Sequence, residues 1–223
     1  MNAGHRKRLR ERFLKQPDTL AEHELLELLL TFAIPRRDCK HLAKKLLARF
    51  GTMGAALDAN PDELKTFEGF GDASLVLFKA IAETAARREY ERLVKADGRG
   101  KISNPADAVA FVQAKIAGNK DEAFLVIYLN TKNRILGYET IQEGTVNQAV
   151  VYPRKVIEGA LRRSATGVIL AHNHPSGETS PSSHDIRLTR EVAKAAETMD
   201  IAVLDHIVVG AKEFFSFKNE GLL

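Results

Sequence analysis

The chain has 223 residues, 44% of them hydrophobic, which is enough to bury one large or two small cores. Its single cysteine, Cys39, excludes a disulfide framework and the Pro-Cys-x-x-Cys pattern of the zinc deaminases, and no apolar run approaches the ~18 residues of a membrane span. The net charge of +4 is unevenly placed: residues 1–50 hold twelve Lys and Arg against six Asp and Glu, a local +6 that leaves −2 for the remainder. With a basic N-terminus that lacks an apolar signal core, these features predict a cytoplasmic protein with no membrane partner.

Taken in chain order, His5-Arg-Lys-Arg-Leu-Arg10 and then Arg36-Arg37 to Lys44-Lys45 concentrate the basic charge. Such patches can track phosphates, which makes DNA a candidate partner of the N-terminal region; a solvated, mobile basic arm is the alternative. Residues 22–32 carry a dense Leu face, and residues 38–50 repeat apolar side chains at Leu42, Ala43, Leu46 and Leu47 before a stop at Gly51, so both segments predict helices. Asn60 as N-cap with Pro61 at the first helical position starts a short helix ending by Phe67, and Glu68-Gly-Phe-Gly71 opens another that runs through Arg92. The unit Leu64-x-x-Phe67-x-Gly69-Phe-Gly71-x-Ala73 is similar to a helix-hairpin-helix DNA-binding motif, in which glycines let backbone amides approach a phosphate. Glu68 and Asp72 place negative charge where that phosphate would sit, and a hairpin used only for helix packing or protein contacts is the competing reading.

Residues 1–98 thus predict an all-helical domain, and Asp97-Gly-Arg-Gly100 a linker to a second domain at 102–223. There the elements alternate: a helix over 105–117, strands over 123–129, 134–141 and 148–151, a helix from Pro153, a strand ending near Ala171, a helix from Ser182, and strands over 203–209 and 213–217. The order describes a two-domain chain of the α+β or α/β class, its second domain an α/β sandwich with a mixed sheet.

Chemistry concentrates in His172-Asn-His174-Pro-Ser-Gly-Glu-Thr-Ser-Pro-Ser182-Ser-His-Asp185. The apolar run 167–171 before it reads as a buried strand, whose period of two sets His172 and His174 on one side and Asn173 on the other. Asn173 is expected to be a turn-stabilising amide. Asp185 falls in the first turn of the helix capped by Ser182, so a strand end, a turn and a helix start converge. Two neutral imidazoles and one carboxylate are the ligand set of a catalytic zinc site whose fourth position is left to water. His184 and His206 read as solvated or hydrogen-bonded histidines rather than as a fourth ligand.

His-x-His-Pro followed by Ser-x-x-Asp resembles the JAMM (MPN-plus) metal motif. With Tyr152-Pro-Arg154 upstream and Leu204-Asp-His-Ile207 downstream, nearly the whole chain resembles the bacterial RadC family. The resemblance implies a JAMM fold, Zn²⁺ on the positions matching His172, His174 and Asp185, a glutamate as general base, and Ser182 as a hydrogen-bond donor to the oxyanion. The base in JAMM proteins precedes an early strand, a description that Glu122-Ala-Phe-Leu-Val-Ile-Tyr-Leu129 fits; Glu143 and Glu139 are the competitors. The implied function is a zinc-dependent hydrolase of peptide or isopeptide bonds with a protein substrate. The alternatives are a DNA-repair or recombination accessory protein with a structural metal, and a nuclease. The sequence does not set a subunit number.

Overall fold

A computed structural model describes residues 3–95, 101–102, 104–119, 121–143, 151–210 and 213–223. Contacts group the chain into two units, residues 1–83 and 84–223. The division falls inside a helix rather than at the glycines 98 and 100, which lie outside the described residues, because Tyr90 and Leu93 belong to the core of the second unit.

The first unit is helical: α1 (Ala3–Lys15), α2 (Glu22–Ala33), α3 (Lys40–Phe50), α4 (Met53–Leu57), α5 (Pro61–Lys65) and the start of α6 (Asp72–Lys95). Its core is built from Leu26 and Leu30 of α2, Leu42, Ala43 and Leu46 of α3, Leu64 of α5, Phe70 of the following turn and Phe78 of α6. Gly51 ends α3 at a positive φ of 81°, and the Asn60 side chain accepts from Asp62 N with Pro61 behind it, as the sequence predicts. The basic segment 5–10 is helical, in line with the all-helical reading of this region and not with the mobile arm weighed as the alternative. It forms α1 rather than a free arm, because Leu9 is buried and His5 Nε2 meets the buried Glu27 carboxylate at 2.8 Å. Arg6 donates to the carbonyls of Ile34 (2.9 Å) and Arg37, and Arg12 pairs with Glu24, so these two charges are spent within the fold. In the α5–α6 turn Gly69 has φ 88°, Glu68 and Asp72 are exposed, and Lys65 pairs with Asp72 at 3.0 Å.

The second unit adds α7 (Pro105–Val112), extended by a wider turn at 113–117, then β1 (Ala123–Leu129), β2 (Ile135–Glu143), α8 (Pro153–Arg162), β3 (Gly167–Asn173), α9 (Ser183–Glu197), β4 (Ala202–Val209) and β5 (Phe214–Ser216). The expected strand at 148–151 falls mostly outside the described residues, and Val151 itself is not in a strand. The five strands form one mixed sheet in the order β2-β1-β3-β4-β5, with β3 and β4 parallel and the other pairs antiparallel. Only α9 links the parallel pair, as a parallel crossover requires.

Both central strands are buried at every residue because the sheet is covered on two faces. Leu125, Ile127, Ile169, Ala171, Ile207 and Val209 pack with Phe111 and Val112 of α7 on one face. Val126, Tyr128, Val168 and Leu170 pack with Val156 and Ala160 of α8 and with Leu188 and Val192 of α9 on the other. Alternation therefore assigns His172 to the α8/α9 face and Asn173 to the α7 face.

Gly159 marks the closest approach of α8 to β1, since a Cβ there would lie 2.0 Å from the Tyr128 hydroxyl oxygen. Both residues are buried, so the methyl of Gly159→Ala has to displace the ring or the helix. We expect a loss of about 1–3 kcal/mol, read as a lower denaturant midpoint at unchanged slope; a midpoint at or above that of the wild type would refute the packing.

Candidate metal centre

Three side chains converge at the end of β3. His172 and His174 leave the strand on the same side, and the first turn of α9 brings Asp185 to them. His172 Nε2 and His174 Nε2 are 3.0 Å apart; His172 Nε2 lies 3.4 Å from Asp185 Oδ1, and His174 Nε2 lies 3.6 Å from Asp185 Oδ2. Ligands at ~2.0–2.1 Å from a tetrahedral ion stand about 3.3 Å from each other, and the observed separations bracket that value. Among the described residues this is the group placed to share a metal ion.

Hydrogen bonding favours a cation at this point. His174 Nδ1 is 2.6 Å from the Glu178 carbonyl, which can only accept, so a neutral His174 carries its proton on Nδ1 and turns a bare Nε2 towards His172 and Asp185. The turn that permits this contact runs from His174 to Gly177, where Gly177 adopts φ 83°. The Asp185 carboxylate adds acceptors only. Its Oδ2 also takes the Ser182 amide at 2.6 Å while Asp185 N donates to Ser182 Oγ at 3.2 Å, so the helix cap and the ligand position coexist in one carboxylate. Burial pushes the Asp185 carboxyl up, but hydrogen bonding with His172, His174 and Ser182 outweighs burial and holds it well below the usual range. Asp185 raises His174 above its ordinary value; burial opposes this, and the Glu178 carbonyl and the Glu122 charge add to it. Two imidazole nitrogens and one carboxylate make a donor set that fits zinc.

Residues 102–222 match the RadC-like JAB domain family, and residues 2–76 match the UPF0758 N-terminal family. The chain belongs to the RadC-like family. A UPF0758 protein of Fusobacterium nucleatum subsp. nucleatum is 37% identical over 228 residues, a match spanning all of this chain and 98% of that one.

The RadC-like domain also places the glutamates. Glu122 is exposed just before β1, and the antiparallel register that pairs Phe124 with His172 sets Glu122 opposite His174 when carried two residues further. Glu139 is occupied by Arg162 (3.0 Å) and Arg163 (3.1 Å). Glu143 pairs through its backbone with Ala123 on β2, one strand further from β3 than β1 is. Ser182 is exposed, and its cap uses the hydroxyl oxygen as acceptor, so that bond does not consume the hydroxyl proton. His184 is exposed and lies outside the convergent group. Arg154 stands over the Tyr152 ring at 5.0 Å.

Thr189, which motif spacing does not single out, and His206, read from the sequence as a solvated or hydrogen-bonded histidine, complete the surroundings of His172. Thr189 and His206 are buried behind His172: His206 Nε2 is 2.8 Å from His172 Nδ1, and His206 Nδ1 is 2.6 Å from Thr189 Oγ1. Burial drives His206 well below its ordinary pKa, so the ring is neutral. Asn173, on the opposite face, accepts from Ala123 N at 2.7 Å and donates to the carbonyls of Asn119 and Asp121, both at 3.2 Å. It clamps the segment that carries Glu122.

Two outcomes follow from this geometry. Because a proton on His174 competes with the ion, zinc affinity should be level above the raised His174 pKa and fall about tenfold per pH unit below it; chelator competition from pH 8 to 5 measures this, and a flat profile contradicts it. Asn173→Leu strands the Ala123 amide and two carbonyls, at about 1–3 kcal/mol for each group left unpaired, and should speed hydrogen exchange at Ala123. Unchanged exchange there would dismiss the clamp.

Proposed function

We propose that the C-terminal unit is a zinc-dependent hydrolase of amide bonds in proteins, of peptide or isopeptide type. The convergence of His172, His174 and Asp185 is the observation that carries the reading, and the exposed Glu122 is near enough for its charge to act on His174. His172 and His174 offer neutral nitrogens, and Asp185 supplies the one negative charge. Zinc bound there supplies Lewis-acid polarisation and a lowered water pKa. Glu122, held by the Asn173 clamp beside the ligand cluster, takes the proton of the attacking water and delivers it to the leaving nitrogen as the C–N bond breaks. The Ser182 hydroxyl donates to the oxygen that gains charge while its own oxygen keeps the helix cap.

Phosphodiester cleavage is favoured less, because two-ion clamps serve that reaction and a single ligand group occurs among the described residues. An accessory role on DNA draws on the +6 of residues 1–50, of which Arg6 and Arg12 are spent internally. That role would respond to loss of the remaining N-terminal basic residues and not to loss of Glu122.

Glu122→Gln should keep zinc and lower cleavage of lysine-linked and peptide-linked fluorogenic amides by ~10²–10⁴-fold, whereas His172→Ala should lose zinc. Metal analysis and initial rates measure both. Full cleavage by Glu122→Gln, or unchanged zinc in His172→Ala, would end the proposal.

A further inference from the structure

The hydrogen-bond chain behind His172 has a direction, and the direction decides whether that ring can bind a cation. Thr189 Oγ1 lies 2.6 Å from the Asp185 carbonyl oxygen and 2.6 Å from His206 Nδ1. A carbonyl brings no proton, and two oxygens this close need one between them, so the single hydroxyl proton of Thr189 goes to Asp185. Thr189 is then an acceptor towards His206, whose Nδ1 must carry hydrogen. A neutral His206 consequently offers a lone pair at Nε2, and His172 Nδ1, 2.8 Å away, must donate to it. The remaining nitrogen of His172 is bare, and it is the one that faces His174 and Asp185. Run the other way, the chain would put hydrogen on His172 Nε2 and block it.

We propose that Thr189 and His206 are positioning residues that set the tautomer of His172 and aim its Nε2 lone pair into the ligand cluster, an inference that rests on the metal-binding reading above. Burial supports the assignment: Thr189 is 1% exposed and His206 0%, so the bonds form away from bulk water. The rings are held in place as well. His206 stacks on Phe217 at 4.7 Å, and Phe124 lies parallel to His172 at 6.2 Å. The two histidines need different partners because of where they sit. His174, beyond the end of β3, reaches a turn carbonyl, whereas His172 sits inside a sheet whose carbonyls are engaged in the strand ladders and needs an acceptor from side chains.

Thr189→Val keeps the shape and removes the acceptor; Thr189→Ser keeps the hydroxyl. Ring ¹⁵N shifts of the zinc-free full chain, recorded at alkaline pH, show which nitrogen of each ring is protonated, and chelator-competed titration gives zinc affinity. We expect Nδ1–H at His172 and His206 in the wild type and in Thr189→Ser. Thr189→Val should lose that pattern at His206 and bind zinc ~10–100-fold more weakly, with Thr189→Ser restoring most of the affinity. Nε2–H on His206 in the wild type would overturn the inference without any variant having to fold, and so would a Thr189→Val protein that binds zinc as tightly as the wild type. A wild-type chain with the expected tautomers that takes up no zinc would instead overturn the metal reading.

Discussion

The site depends on β3 being paired on both sides at once. Antiparallel pairing sets Phe124 opposite His172 on β1, and parallel pairing sets Val208 opposite His172 on β4. Because side chains alternate, this single register serves two purposes. The even residues His172 and His174 meet α9 and Asp185, while the odd residue between them, Asn173, reaches across the other face to hold the approach to β1. A slip of one residue would exchange the faces and place an amide in the ligand cluster and two imidazoles against α7. In the observed register Val168 and Leu170 belong to the α8/α9 core and Ile169 and Ala171 to the α7 core.

How much of this was legible in the sequence follows from the range of each interaction. The histidine pair needs only strand period, and Ser182 with Asp185 needs only a cap and its third helical residue, so three ligand positions could be read from local rules. The helices at 22–33 and 40–50 are similarly local, because their apolar period is self-contained. The relay is not. Thr189 is one turn beyond Asp185 on α9 and His206 lies on β4, and they meet only once α9 has folded back and β4 has paired with β3. The anchoring of α1 is long-range for a related reason: a helical reading of residues 1–98 does not show that the buried Glu27 and the carbonyls of Ile34 and Arg37 meet His5 and Arg6.

The helical unit is less informative about function than its charge suggests. Lysines and arginines count towards phosphate binding only if they are free to meet phosphate, and some of those in residues 1–50 are tied to carbonyls and carboxylates of the same unit. In the α5–α6 turn the exposed acids Glu68 and Asp72 oppose an anion at the position where glycine-rich backbone would otherwise admit one. Exposed surface charge pairs such as Lys65–Asp72 contribute little to stability, and their effect here is to alter what the surface attracts.

Two buried aspartates of the second unit show how an acid met by structural donors differs from one placed in a group that could hold an ion. Asp205 is fully met by protein donors: Oδ1 accepts from His206 N at 2.7 Å and Lys218 N at 3.0 Å, and Oδ2 accepts from Ser216 Oγ at 2.7 Å, which ties β4 to the turn after β5. Asp185 is capped on Oδ2, but its Oδ1 faces His172 Nε2 at 3.4 Å, beyond the usual range for a nitrogen donor. Against its burial, hydrogen bonding with His172, His174 and Ser182 holds this carboxylate low, and it raises His174 in turn, so its charge is shared with the side chains of the cluster rather than with the backbone alone. An ion bound there as proposed would be linked to folding, because His172, His174 and Asp185 meet only when the end of β3 and the start of α9 are folded together. The cluster is confined to the end of β3, because below it the two faces of the strand are wholly apolar and packed into the two cores of the sheet.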